Sequence, residues 1–185
     1  MVHIDILMCN IIYIGEFMNK AFFLDRDGTI NVDSGYVGKP DQVVLLPHAA
    51  EAIRRMNQAG YLVIVITNQS GVARGYYKMC DVDKVNSRIE ELLAMENAHI
   101  DCFYVCPHLN GASVKEYDRD CECRKPKVGL FRQAISDFNL NPALCYACGD
   151  KIRDVEHLSE IGIPKEHLYV MKDGLDLRSI GLENI

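Results

Sequence analysis

The 185-residue sequence has no apolar run long enough to span a bilayer, which argues against a membrane-crossing helix. It has no internal repeat, no low-complexity tract and no Pro- or Ser-rich linker, so no boundary to a second domain is visible. Positive charge is not in excess. The net charge of −6 argues against general affinity for nucleic acid or an anionic membrane. An anionic small molecule is not excluded, because local charge decides binding and basic residues gather near the motifs below. The opening residues lack the basic start of a signal peptide. The composition, 49% hydrophobic and 25% charged, is ordinary for a chain long enough to bury a real core. Eight cysteines in that setting do not form a disulfide scaffold. Three of them, with a histidine, make a metal-like cluster, which points to a reducing cytoplasm.

What is present centres on Ala21 to Ile30, AFFLDRDGTI. Ala21 to Leu24 read as a buried strand that delivers Asp25 and Asp27. Alternation along an extended chain puts both carboxylates on one side, and Gly28 lets the chain bend sharply after them. Two acids at the end of a buried strand are costly unless a cation or a reaction uses them. A divalent metal, a nucleophile and a general acid would account for both. The plainer alternative is a strand-end turn rich in Asp and Gly.

The pattern predicts helices over Pro47 to Ala59, Asp81 to Met95, Leu130 to Phe138 and Asp154 to Ile161. It predicts strands over Tyr61 to Ile66, Phe103 to Val105, Ala143 to Cys148 and His167 to Met171. Strands alternating with helices imply a parallel sheet covered on both faces, with functional loops at the carboxyl ends of the strands. Asp25, Thr67, Cys106 and Asp150 each follow an apolar run. Residues 18–185 form one expected domain. Residues 1–17 read as an extension, with Met18 nearer the natural start; an extra edge strand or helix packed on the core is the competing reading.

Cys106-Pro107-His108 and Cys121-Glu122-Cys123 supply three thiolates and one imidazole, the right set for a closed, structural Zn²⁺ site. Cys123 adjoins Arg124-Lys125, so the metal would hold those two cations in place. Cys145 and Cys148 are spaced like a redox pair, but on a strand their side chains face opposite ways, and both read as core.

The string DRDGTI resembles the first motif of the haloacid dehalogenase (HAD) phosphatase superfamily. Thr67-Asn68-Gln69, Arg124-Lys125-Pro126 and Gly149-Asp150-Lys151 resemble the other three motifs. The resemblance implies a Rossmann-like three-layer α/β sandwich. It makes Asp25 a nucleophile that becomes an aspartyl phosphate and Asp27 the acid and then the base. It makes Thr67 a hydrogen-bond donor to the phosphoryl group and Lys125 its neutralising cation. Mg²⁺ would be held by Asp25, the backbone carbonyl of Asp27, and Asp150. Asp154 would orient Lys151 or a water on the metal.

No long insertion follows the first or second motif, so no cap domain is expected. Together with the zinc loop, the motifs resemble a branch holding heptose 1,7-bisphosphate phosphatases and histidinol-phosphatases. Asp33 to Val37 and Ser70 to Gly75 favour the heptose side. By that match, substrate contacts fall on Asp33, Ser34, Gly35, Tyr36, Asn68, Gln69, Ser70, Arg124 and Lys151. Arg74 is a supplementary candidate, and Lys39 reads rather as surface charge. The implied activity is Mg²⁺-dependent removal of the 7-phosphate from a heptose bisphosphate. The sequence is silent on assembly, with a monomer as the default, and charge and hydropathy give no reason to expect a nucleic-acid or membrane partner. Histidinol-phosphatase is the alternative.

Overall fold

The computed structural model describes residues 18–171 and 174–177. The expected extension, 1–17, lies outside the described residues. Five parallel strands form one sheet in the order β3-β2-β1-β4-β5. They are β1 (Ala21–Leu24), β2 (Leu62–Asn68), β3 (Cys102–Cys106), β4 (Tyr146–Gly149) and β5 (Leu168–Val170). Between them run α1 (Ala49–Gln58), α2 (Ser70–Ala73), α3 (Met79–Ala94) and α4 (Gly129–Asp137).

The central strand β1 is buried at every position, and its two faces serve two cores. Phe22 and Leu24, with Val63 and Val65 of β2, face Ile53 and Met56 of α1 and Val85, Ile89 and Leu93 of α3. Ala21 and Phe23, with Ile64 and Ile66, face Leu130, Phe131 and Ala134 of α4. Period-two alternation in continuous apolar strands thus gives helix, sheet and helix layers, as the alternating pattern predicts.

The chain runs outward from β1 through β2 to β3, then returns to place β4 on the other side of β1. The strand order therefore reverses between β1 and β4. Crevices at such reversals, beyond the carboxyl ends of the strands, are where open parallel sheets bind ligands. Residues 25–48, between β1 and α1, hold one short 3-10 turn (Pro40–Gln42) and no cap. Among the described residues no helix is long and apolar enough to cross a membrane.

Three expected elements differ. The strand expected over Tyr61 to Ile66 runs on to Asn68, because Thr67 and Asn68 still pair with Val105 and Cys106. The strand expected from Ala143 starts at Tyr146; Pro142–Leu144 is a 3-10 turn, with the Asn141 side chain accepting from the Ala143 N–H at 3.1 Å. The helix expected over Asp154 to Ile161 is two 3-10 turns, Ile152–Asp154 and Leu158–Ile161. The Asp154 carboxylate accepts the Lys151 N–H at 3.0 Å, closing the first turn. A side chain that bonds the backbone so locally competes with helix formation.

Cys145 and Cys148 are buried in the two separate cores, on opposite sides of the sheet, as expected for core residues. All cysteines among the described residues are free thiols.

Candidate active site

The end of β1 places Asp25 on the floor of a cavity of about 360 Å³. The carboxyl end of β4 brings Asp150 beside it, with the Asp25 N–H donating to the Cys148 carbonyl at 3.0 Å. Gly28 has φ +87°, a conformation open to glycine. A Cβ there would lie 2.6 Å from Asp150 Oδ2, so glycine also permits the close approach of the two loops.

Lys125 is 3% exposed. Its Nζ donates to Asp25 Oδ1 at 2.7 Å and to the Ile66 carbonyl at 2.7 Å, and it lies 2.8 Å from Asp154 Oδ1. One buried ammonium thus sits between two buried carboxylates. Burial pushes the Asp25 carboxyl up to about 6 despite the opposing pull of Lys125, with Asp154 adding to the rise.

Asp27 is half-buried and held from several sides. Arg26 donates to it twice, from Nε at 3.2 Å and Nη2 at 3.0 Å. Asn31 Nδ2 donates at 2.9 Å and Gln69 Nε2 at 2.8 Å. Gln69 Nε2 also donates to Thr67 Oγ1 at 2.9 Å, which leaves the threonine O–H to donate into the cavity. Tyr77 Oη donates to Gln69 Oε1 at 2.8 Å. Burial pushes the Tyr77 phenol up to about 12, so this donor keeps its proton.

Of the expected substrate contacts, Asp33, Gly35, Tyr36, Asn68, Ser70, Arg124 and Lys151 line the cavity, together with Asp25, Asp27 and Thr67. Arg74, the supplementary candidate, lines it too. Ser34 and Lys39 are exposed and lie outside the lining. Gln69 also lies outside it, 2% exposed, its carboxamide engaged by Asp27, Thr67 and Tyr77. The structure places it as a brace for Asp27, away from the cavity surface. The Asn68 carboxamide pairs with the Lys125 backbone, accepting at 3.0 Å and donating at 3.1 Å, and so fixes the loop that carries the lysine.

Arg26 is a site residue that the motif reading passed over. It is fully buried, and its Nη1 donates to Asn86 Oδ1 on α3 at 3.0 Å. The signals were present: alternation sends Arg26 to the face opposite Asp25 and Asp27, and Asn86 interrupts the apolar stripe of Val82, Val85 and Ile89. Tyr77 left no comparable trace in the sequence. Arg153, which also lines the cavity, stands just before the helix expected from Asp154 and belongs to none of the motifs.

Two side-chain groups fit metals. Oxygens of Asp25, Asp150 and Asp154 lie within 4.8 Å of one another. Asp150 Oδ1 is buried without a hydrogen-bond partner, the condition of a carboxylate oxygen that a cation would satisfy. Asp154 is already engaged by Lys125 and the Lys151 N–H, so it suits a positioning role. In the second group, donor atoms of Cys106, His108, Cys121 and Cys123 also lie within 4.8 Å. Cys123 Sγ is 3.0 Å from Cys121 Sγ, 3.2 Å from Cys106 Sγ and 3.2 Å from His108 Nδ1. Hydrogen bonding, first of all with Cys106, brings the Cys123 thiol down to about 5, while the same contact and burial push the Cys106 thiol up. It is the close set of three sulfurs and one imidazole that suits a soft cation. Arg124 Nη1 donates to the His108 carbonyl at 3.2 Å, which ties the loop to the cavity wall.

Residues 20–157 match the family model described as polynucleotide kinase 3 phosphatase. D-glycero-β-D-manno-heptose-1,7-bisphosphate 7-phosphatase of Pasteurella multocida is 38% identical over 164 residues, covering 89% of this chain and 88% of its own. The protein of the same name from Haemophilus influenzae is 40% identical over 139 residues, covering 75% of each chain. The solved D,D-heptose 1,7-bisphosphate phosphatase of B. bronchiseptica, complexed with magnesium and phosphate, is 30% identical. It matches with a TM-score of 0.74 over 91% of this chain and 88% of its own. Sequence identity over most of both chains and a shared three-layer fold agree: the chain belongs to the HAD-like phosphatases, in the family of D-glycero-β-D-manno-heptose-1,7-bisphosphate 7-phosphatases.

Proposed function

We propose that the chain removes the 7-phosphate of D-glycero-D-manno-heptose 1,7-bisphosphate, through an aspartyl phosphate on Asp25, in the synthesis of nucleotide-activated heptose for surface glycans. The observation that carries this reading is the Asp25–Lys125 pair on the floor of a cation-rimmed cavity, in a chain whose relatives at 38% and 40% identity bear this activity as their name. Those names specify the β anomer, and we take that form as the substrate. Histidinol phosphate, the alternative substrate, is not named by these relatives.

Asp25 attacks phosphorus, and the bond to the sugar oxygen breaks. Asp27 gives that oxygen its proton, then takes one from the water that hydrolyses the acyl phosphate. Thr67 donates to a phosphoryl oxygen, and Lys125 balances the charge gathered at Asp25. Arg26, Asn31 and Gln69 hold Asp27 in the one orientation that serves both steps. Asp25, the Asp27 carbonyl and Asp150 would hold Mg²⁺, which supplies neutralisation of phosphoryl charge. Cys106, His108, Cys121 and Cys123 would close around Zn²⁺, a structural role that leaves no open position for chemistry. Gly35, Tyr36, Asn68, Ser70, Arg124 and Lys151 form the contact surface for substrate, while Gln69 acts from behind it.

The free thiols suit a reducing cytoplasm. The described residues of a single chain supply every site residue, which supports action as a monomer. The test is a steady-state comparison of both anomers of the heptose bisphosphate with histidinol phosphate. The heptose substrate should show the higher kcat/KM; equal or better turnover of histidinol phosphate would reject the assignment.

A further inference from the structure

We infer that Arg153 is a specificity-determining residue that recognises a second anionic group on the substrate, at the rim of the cavity and apart from the phosphoryl group that reacts. The inference rests on the phosphatase reading above and adds the residue that tells a doubly phosphorylated substrate from a singly phosphorylated one.

The floor of the cavity already has what one phosphoryl group requires, in Lys125, Thr67 and the carboxylates beside them. The rim carries four further cations, Arg74, Arg124, Lys151 and Arg153. Three of these have partners. Lys151 Nζ lies 2.7 Å from Asp150 Oδ2 and 3.5 Å from Asp33 Oδ2. Arg124 donates to the His108 carbonyl at 3.2 Å. The Arg74 guanidinium lies 5.7 Å from the centre of the Tyr36 ring. Arg153 has no hydrogen bond or ion pair among the described residues.

An exposed arginine is ordinary on a surface. Two features set this one apart. It faces a cavity in a chain whose net charge is −6, so its cationic surroundings are local and not a general excess. Its backbone is also pinned to the reacting centre. Asp154, 4% exposed, accepts the Lys151 N–H at 3.0 Å and lies 2.8 Å from Lys125 Nζ. The tight turn Ile152–Asp154 therefore buries one neighbour of Arg153 under the phosphoryl site while the arginine stands at the rim. A guanidinium fork suits a phosphate by paired N–H donors. Being uncommitted, it breaks no internal bond when it binds one.

The test measures kcat/KM for two pairs, heptose 1,7-bisphosphate against heptose 7-phosphate, and fructose 1,6-bisphosphate against fructose 6-phosphate. The wild type should prefer the bisphosphate of a pair. Arg153→Ala should reduce that preference about tenfold, the low end for a charge-assisted hydrogen bond at an exposed site. Arg153→Glu should reduce it further, and Arg153→Lys should restore part of it. A preference unchanged by all three substitutions, or an equal loss on both members of a pair, overturns the inference. So does a wild type that favours neither bisphosphate. If the wild type neglects the heptose pair but shows an Arg153-dependent preference in the fructose pair, the heptose assignment fails and the role of Arg153 stands.

Discussion

At the scale of single residues, chemistry and stability pull against each other at Asp25. Burial raises its pKa to about 6, and Lys125 holds it within reach of ionisation. Asp25→Asn keeps the shape and removes the attacking oxygen, so turnover should vanish while circular dichroism shows the fold intact; retained activity would remove Asp25 as the nucleophile. Lys125→Met asks the opposite question. It leaves the Asp25 and Asp154 carboxylates buried without their shared cation. Stability to urea, measured in chelator, should fall by about 3–5 kcal/mol, the cost of breaking a buried ion pair from one side. A midpoint equal to the wild type would show that solvent reaches the pair. Asp25, Asp27, Lys125 and Asp150 were legible in the sequence, because each follows an apolar run or sits in a recognisable motif. Gln69 stood in a motif as well, yet its position behind the cavity depends on Tyr77 reaching its carboxamide, a tertiary contact without local signature.

At the scale of elements, the strands were legible where apolar runs are continuous, and less so where side-chain bonds set the ends. β2 outlasts its apolar run because β3 continues to pair with it. The stretch after Asp150 has a helical pattern, but Asp154 turns inward to the Lys151 N–H and the Lys125 ammonium, and short turns replace the helix. The cysteine loop was legible as a donor set that fits a metal, since the residue types alone specify it. Its attachment through Arg124 to the His108 carbonyl was not. That bond links the loop's order to the cavity wall. Cys121→Ser should therefore lower bound zinc, read by metal analysis, and raise KM more than it lowers kcat. A fully zinc-loaded variant with wild-type kinetics would separate the loop from substrate handling.

At the scale of the whole molecule, the reversal of strand order between β1 and β4 brings Asp25 and Asp150 together at the sheet's carboxyl edge. Among the described residues no inserted domain follows β1 or β2, which gives the rim the larger part in selection. A chain of net charge −6 gathers four cations around one cavity, which suits a small, highly anionic substrate more than a long polyanion. The central claim is that one phosphate of a heptose bisphosphate is removed and the other is gripped. Phosphorus NMR of heptose 1,7-bisphosphate turning over with Mg²⁺ tests it directly. The account predicts loss of the 7-phosphate resonance, growth of inorganic phosphate and a persistent 1-phosphate. Loss of the 1-phosphate, or of both at similar rates, would contradict it.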